Sequence, residues 1–337
     1  LRQELESRGA IFSSTSDSEV IVHLIAHSRE KDFIKALVGA LRRVKGAYSL
    51  LILTRNRLFA ACDPYAIRPL SVGRLNGGYV FASETCAFDL IGAKYMRPVG
   101  PGELLVVDSR GLKSYKFAEA GRLAHCAFEF IYFSRPDSII FDKSVLRARE
   151  QLGVVLAREH PARADLVIPV PDSSTCAAIG YSKQSGIPFA MGIIRNHYIG
   201  RTFIEPEQRI RDFGAKIKYN PIKELIGGKR IVVVDDSIVR GTTSRKIVKM
   251  LRKAGAKEIH WRISSPLITH SCYYGIDTPT RDQLIGASHT VEQIKKYLQV
   301  DTLGYLSIPG LLKSLGGTDK EYCLACFCGR YPLRTGR

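Results

Sequence analysis

Val232-Val233-Val234-Asp235-Asp236-Ser237-Ile238-Val239-Arg240-Gly241-Thr242-Thr243-Ser244 is the stretch on which the fold turns. A short, wholly apolar β-branched run predicts a strand buried on both faces, as in a parallel sheet. Two adjacent carboxylates stand at its carboxyl end. A loop with one glycine and three hydroxyl residues then opens a helix expected over 243–254. The first N–H groups of a helix have no internal acceptor and favour an anion. The Thr242, Thr243 and Ser244 hydroxyls add donors, so 241–244 is expected to cradle a phosphate. Asp235 and Asp236 suit ribose hydroxyls or hydrated Mg²⁺, both of which seek oxygen acceptors. Together they describe a sugar-phosphate site. The competing reading is a helix-capping cluster with two solvated aspartates.

Outward from this stretch, apolar strands alternate with helices. Strands are expected at 165–170, 187–194, 229–234 and 258–264. Helices are expected at 144–160, capped by Ser144, and from about 175 to 185. This alternation predicts βαβ units and a parallel sheet, with ligands at the carboxyl ends of the strands. The loop Pro171-Asp172-Ser173-Ser174 lies at such an end, as does 235–242.

The first 120 residues have a different grammar. Helices are expected at 20–27 and 33–44, with Ser16 or Asp17 as a possible cap for the first. Short strands follow at 47–54, 57–63, 70–74 and 78–83, then a hairpin over 102–115 turning at Ser109-Arg110-Gly111. Arg-Asn and Asn-Gly-Gly turns between them predict antiparallel pairing. A weak linker at 118–121 separates domains expected at 1–120 and 121–337.

The 337 residues carry 50 Lys+Arg against 32 Asp+Glu, a formal charge of +18, and are 45% hydrophobic. That composition supports real cores and excludes disorder as the main state. The charge favours anionic partners in general, phosphorylated small molecules included. No apolar run reaches the ~18 residues that span a bilayer, and no secretory signal opens the chain, so a cytoplasmic location with no membrane partner is expected. The eight cysteines are then expected to be thiols or metal ligands rather than disulfides. Cys323-Leu324-Ala325-Cys326 is a C-x-x-C unit, a modest metal or redox signal, and Cys328 follows it.

The 232–244 segment resembles the phosphoribosyl-pyrophosphate (PRPP) motif of type I phosphoribosyltransferases. Phe128 to Ser138 (FEFIYFSRPDS), Val170 to Ser174 (VPDSS), Tyr198 to Ile204 (YIGRTFI) and Tyr274 to Thr278 (YGIDT) resemble the amidophosphoribosyltransferase family nearly end to end. The resemblance implies a partial Ntn-hydrolase αββα glutaminase domain followed by a type I phosphoribosyltransferase domain. It implies conversion of PRPP, glutamine and water to 5-phosphoribosylamine, pyrophosphate and glutamate. It assigns Asp235 and Asp236 to the ribose hydroxyls and Mg²⁺, Ser173 to the same metal, and Gly241, Thr242, Thr243 and Ser244 to the 5-phosphate.

Arg201 and Lys218 are expected phosphate contacts on a closing loop, with Gly200 and Gly214 as hinges. Asp17, within Ser14-Thr15-Ser16-Asp17-Ser18-Glu19-Val20, is expected to hold the glutamine α-amino group. Asp63 to Leu70 and Ser83 to Asp89 resemble structural parts of the same domain. The family nucleophile is an N-terminal Cys, whereas residue 1 here is Leu. The chain is therefore expected to be N-terminally incomplete, to lack a catalytic residue of its own for glutamine hydrolysis, and to use ammonia at most. The iron–sulfur subgroup is the expected one, with a [4Fe–4S] cluster on Cys126, Cys272, Cys323 and Cys326. Cys328 is an alternative ligand, and a Cys₄ zinc site is the chemical competitor. A homo-oligomer, a tetramer in the family, is expected, with no nucleic-acid partner. Two other readings are a nucleobase-salvage phosphoribosyltransferase and a nucleic-acid-binding regulator on the same fold. The first has no use for the Thr15 to Val20 segment or the four cysteines. An intact Asp235–Asp236 pair weighs against the second.

Overall fold

The computed structural model describes residues 1–119, 121–196 and 219–333. It divides into two compact units. The first comprises 1–83 and 87–125, the second 84–86 and 126–332.

The first unit opens with helices α1 (Arg2–Glu6), α2 (Glu19–Ala26) and α3 (Phe33–Arg43). Asp32 caps α3 by accepting from Lys35 N at 2.9 Å. The expected Ser16 or Asp17 cap of α2 is not formed. Ser18 holds that position in helical backbone geometry, without a side-chain cap. Strands β1 (Ser49–Leu53), β2 (Leu58–Cys62), β3 (Ser71–Leu75), β4 (Gly78–Ala82), β5 (Lys94–Pro98), β6 (Glu103–Asp108) and β7 (Gly111–Lys116) follow, with helix α4 (Cys86–Ile91) between β4 and β5.

They make two antiparallel sheets, ordered β1-β2-β6-β7 and β4-β3-β5. The Asn76-Gly77 turn between β3 and β4 has positive φ at both residues, the backbone that suits a tight hairpin. Strand alternation sets the layering. Phe59, Ala61, Leu104 and Val106 pack with Leu37 and Leu41 of α3. Their neighbours Ala60, Cys62 and Leu105 turn the other way and pack with Leu70 and Val72. On the outer side of that second sheet, a Cβ at Gly73 would lie 3.3 Å from the Phe88 ring of α4. The order is therefore helix, sheet, sheet, helix. The helices α1 and α4 and the strand β5 are additions to the elements expected from sequence.

The second unit holds α5 (Val145–Glu159), β8 (Leu166–Pro169), α6 (Thr175–Ser185), β9 (Ile193–Arg195), β10 (Tyr219–Pro221), β11 (Arg230–Asp235), α7 (Thr242–Lys253), β12 (Glu258–Ile263), α8 (Val291–Leu298), β13 (Thr302–Tyr305) and α9 (Ile308–Leu315). Ser144 caps α5, accepting from Arg147 N at 3.3 Å. Strands β8-β11-β12-β13 form a wholly parallel sheet. The strand expected over 187–194 is replaced by a single bridge at Phe189 to Val167 and by β9, which pairs antiparallel with β10 outside that sheet. Pro188 and Gly192 interrupt the apolar run and break its ladder. One core cluster joins Ile231, Val233, Ile259, Trp261, Ile263 and Tyr305 of the sheet to Ile247, Val248 and Leu251 of α7. Helices α5 and α6 cross through glycine. A Cβ on Gly153 would overlap the Ala177 carbonyl oxygen, and one on Gly180 would overlap that of Glu150.

Candidate functional site

Parallel pairing of β8 with β11, Pro169 opposite Val234, brings the loops after both strands to one edge. Ser173 and Asp236 lie 63 positions apart, yet Ser173 Oγ donates to Asp236 Oδ2 at 2.5 Å. Ser237 Oγ donates to the other oxygen, Oδ1, at 2.6 Å. The Asp236 amide donates to Asp235 Oδ1 at 3.0 Å, and Ser244 Oγ reaches Asp235 Oδ2 at 3.5 Å.

Both carboxyls are buried, Asp235 at 7% and Asp236 at 8% exposure, so the alternative of two solvated aspartates does not hold. Burial pushes both carboxyl pKa values up, and the Asp236 charge raises Asp235 further. Hydroxyl donors and Arg149 act the other way on Asp236. A bound cation or ligand donors would offset the burial of this pair.

The α7 N-terminus stands beside this pair. Gly241 is its N-cap with φ +74°, a backbone that residues with a Cβ rarely adopt. Thr242 and Thr243 are exposed and Ser244 is buried. These residues carry the N–H groups that a helix leaves unsatisfied, so 241–244 present donors where an anion would dock. At the same edge, Arg195 Nη1 pairs with Asp172 Oδ2 at 2.7 Å.

Among the described residues, no group of three or more His, Cys, Asp and Glu is gathered so as to hold a metal ion. Mg²⁺ characteristically takes one or two carboxylates together with substrate phosphates and water. The buried carboxylate pair fits a metal that arrives with a phosphorylated substrate.

Of the four cysteines of the expected cluster, Cys326 is markedly perturbed. Burial raises the Cys326 thiol pKa strongly, and Cys126, Cys323 and Cys272 each raise it further. Cys126 and Cys323 lie on paired two-residue strands, and Cys326 on the helix Ala325–Cys328 that follows. Cys328 directs its thiol to the Leu324 carbonyl at 3.3 Å. Among the described residues, no three of these thiols are drawn together as a single ion would require.

Asp17 is exposed in the turn before α2, where its carbonyl accepts from Val20 N at 3.2 Å. Glu19 organises this turn: it accepts from the amides and hydroxyls of Ser13 and Ser14 at 2.6–2.9 Å. Those donors lower its pKa to about 2, the Ser14 hydroxyl most. Arg201, Lys218, Gly200 and Gly214 lie outside the described residues.

Two participants carry no assignment from sequence. Ser237, inside the 232–244 segment, has only its hydroxyl as a sequence signal. Arg149 sits in α5 at 3% exposure and donates to the Phe130 and Ser134 carbonyls at 2.8 and 2.7 Å. Its only sequence signal is a cation on the buried face of an amphipathic helix.

Comparison with known proteins agrees with this geometry. A glutamine amidotransferase domain model matches residues 1–89, and a phosphoribosyl transferase domain model matches 165–264. Amidophosphoribosyltransferase of Bacillus subtilis is 50% identical over 336 residues, covering 98% of this chain and 71% of that protein. Amidophosphoribosyltransferase 1, chloroplastic, of Arabidopsis thaliana is 52% identical over 99% of this chain, which spans only 59% of that relative's length. The solved glutamine PRPP amidotransferase from B. subtilis, complexed with ADP and GMP, superposes with a TM-score of 0.93 at 50% identity, covering 98% of this chain and 74% of that one. With both domain models matched in order and half of all residues identical across nearly its whole length, this chain belongs to the amidophosphoribosyltransferase family.

Proposed function

We propose that the chain transfers the phosphoribosyl group of PRPP to nitrogen, forming 5-phosphoribosylamine and releasing pyrophosphate, the first step of purine biosynthesis. One observation carries the reading: a buried carboxylate pair, its Asp236 held by Ser173, beside the donor-rich start of α7 at the carboxyl edge of a parallel sheet. In this reading Asp235 and Asp236 accept from the ribose hydroxyls, and Gly241, Thr242, Thr243 and Ser244 bind the 5-phosphate. Departure of pyrophosphate builds positive charge at the ribose C1. A sugar held at both ends meets its nitrogen nucleophile in fixed geometry, and the nearby carboxylates favour the developing charge. Mg²⁺, held by Ser173, Asp235 and Asp236, would neutralise the leaving group. Arg201 and Lys218 are proposed phosphate contacts.

The glutaminase half of the reading assigns residues 1–120 to glutamine, with Asp17 at its α-amino group, and 121–337 to PRPP. The cysteines support the iron–sulfur assignment. A single ion such as Zn²⁺, with Zn–S near 2.3 Å, draws its sulfurs to within about 3.8 Å of one another. A four-iron cluster, being larger, takes more widely spaced thiolates. The cluster is assigned to Cys126, Cys272, Cys323 and Cys326, the other three of which act electrostatically on Cys326. A homo-oligomeric assembly belongs to the same reading. So does a location following the relatives, one bacterial and one named chloroplastic. No helix among the described residues is long and apolar enough to cross a membrane.

The test is Mg²⁺- and ammonia-dependent pyrophosphate release from PRPP, which isolates the phosphoribosyl half. Asp235→Asn with Asp236→Asn should abolish it. The unfolding temperature should hold or rise, because neutral isosteres replace two buried carboxyls whose ionised forms are disfavoured. Retained turnover refutes the assignment.

A further inference from the structure

The row of the parallel sheet that contains Asp235 continues across two more strands. Asp235 pairs with Ile263, and Ile263 pairs with Tyr305, the last residue of β13. Residues in register on a parallel sheet project to the same face. That face is the α7 side: Val233, Trp261, Ile263 and Tyr305 share one cluster with Ile247, Val248 and Leu251 of α7. Ser244, one turn earlier in α7, reaches the Asp235 carboxyl from the same side. Tyr305 is 9% exposed, and its hydroxyl has no hydrogen-bond partner among the described residues.

A buried tyrosine hydroxyl ordinarily finds a partner, and leaving one without costs stability. Phenylalanine would serve this apolar cluster better than tyrosine if packing were the only role. The phenol feels the Asp235 charge, and burial together with that charge holds it protonated, in the donor form.

We propose that Tyr305 is a positioning residue for Asp235: its hydroxyl donates to the Asp235 carboxylate, directly or through one enclosed water, once PRPP has docked. The donor fixes the orientation in which that carboxylate meets the ribose hydroxyls. This inference rests on the PRPP reading of the site.

The experiment compares the full chain with its Tyr305→Phe variant, which removes one oxygen atom and keeps the ring. PRPP binding in Mg²⁺ is followed by calorimetric titration, ammonia-dependent kinetics give KM and kcat separately, and thermal unfolding is followed without ligand. A neutral donor lost from a charged acceptor predicts PRPP affinity weaker by roughly tenfold or more. KM should rise with it while kcat stays near the parent value. The unliganded unfolding temperature should be unchanged or higher, a combination that a merely structural hydroxyl does not produce. Equal PRPP affinity in parent and variant overturns the inference and leaves the PRPP reading standing. A lower unfolding temperature also overturns it, because the hydroxyl then has a structural partner. Failure of the parent chain itself to bind PRPP defeats the site reading, and the inference with it.

Discussion

Gly153→Ala should be among the more damaging conservative substitutions in this protein. Gly153 lies on α5 where α6 crosses it. A Cβ there would overlap the Ala177 carbonyl oxygen and stand 2.7 Å from both Ala177 C and Tyr181 N. These obstacles are backbone atoms of a helix, so no rotamer change relieves them and the two helices must separate. Overpacking of this kind costs about 1–3 kcal/mol, and a rigid obstacle places it at the upper end. Alanine returns up to about 1 kcal/mol of helix propensity. The net expectation is a loss of about 2 kcal/mol, or roughly 4–8 °C in the unfolding temperature of a unit this size. Because α6 begins two residues after Ser173, the shift should also loosen the Ser173–Asp236 bond and raise the KM for PRPP. Gly39→Ala is the control. Gly39 is also inside a helix, α3, but a Cβ there would meet nothing within 4 Å. It should gain about 1 kcal/mol from propensity alone. Differential scanning calorimetry of both variants is the assay. A Gly153→Ala protein as stable as the parent, or one that responds like Gly39→Ala, would refute the close-crossing argument.

Asp63 is fully buried, and burial raises its pKa to about 6 despite hydrogen bonds from the Tyr48, Tyr65 and Ile67 amides. A folded value above the unfolded 3.8 means that its contribution to stability is complete below pH 3.8 and is lost as pH rises through about 6. The difference corresponds to roughly 3 kcal/mol. Asp63→Asn should therefore flatten the gain in urea-unfolding free energy between pH 7.5 and 4.5 relative to the parent, and an unchanged slope would count against the buried-carboxyl reading. Cys326→Ser, purified without oxygen, should lose its iron and the visible absorption of the cluster. Stoichiometric zinc in the parent protein would instead favour the single-ion alternative.

The readable parts of the chain were those whose physics is local. A run of β-branched residues ending in Asp235-Asp236 reads as a buried strand, and the Gly-Thr-Thr-Ser that follows reads as a helix start with free donors. Ser144 announces its cap, and Asn76-Gly77 its turn. Where tertiary context competes with pattern, the reading slips. The apolar residues 187–194 look like one strand, yet only Phe189 and Ile193–Arg195 find ladder partners. Ser16 and Asp17 have the chemistry of an N-cap, but Glu19 draws the Ser13–Ser14 backbone inward and the helix starts beyond them.

The two-part architecture, the carboxylate pair, the hydroxyl-rich turn and the set of thiols are legible along the chain, because they follow from residue chemistry and short-range periodicity. Tertiary packing alone sets the Ser173–Asp236 hydrogen bond, the burial of both aspartates and of Arg149, and the placing of Tyr305 in the same sheet row as Asp235. These facts depend on strand order, register and desolvation, which come into being when distant segments pack and water is excluded between them.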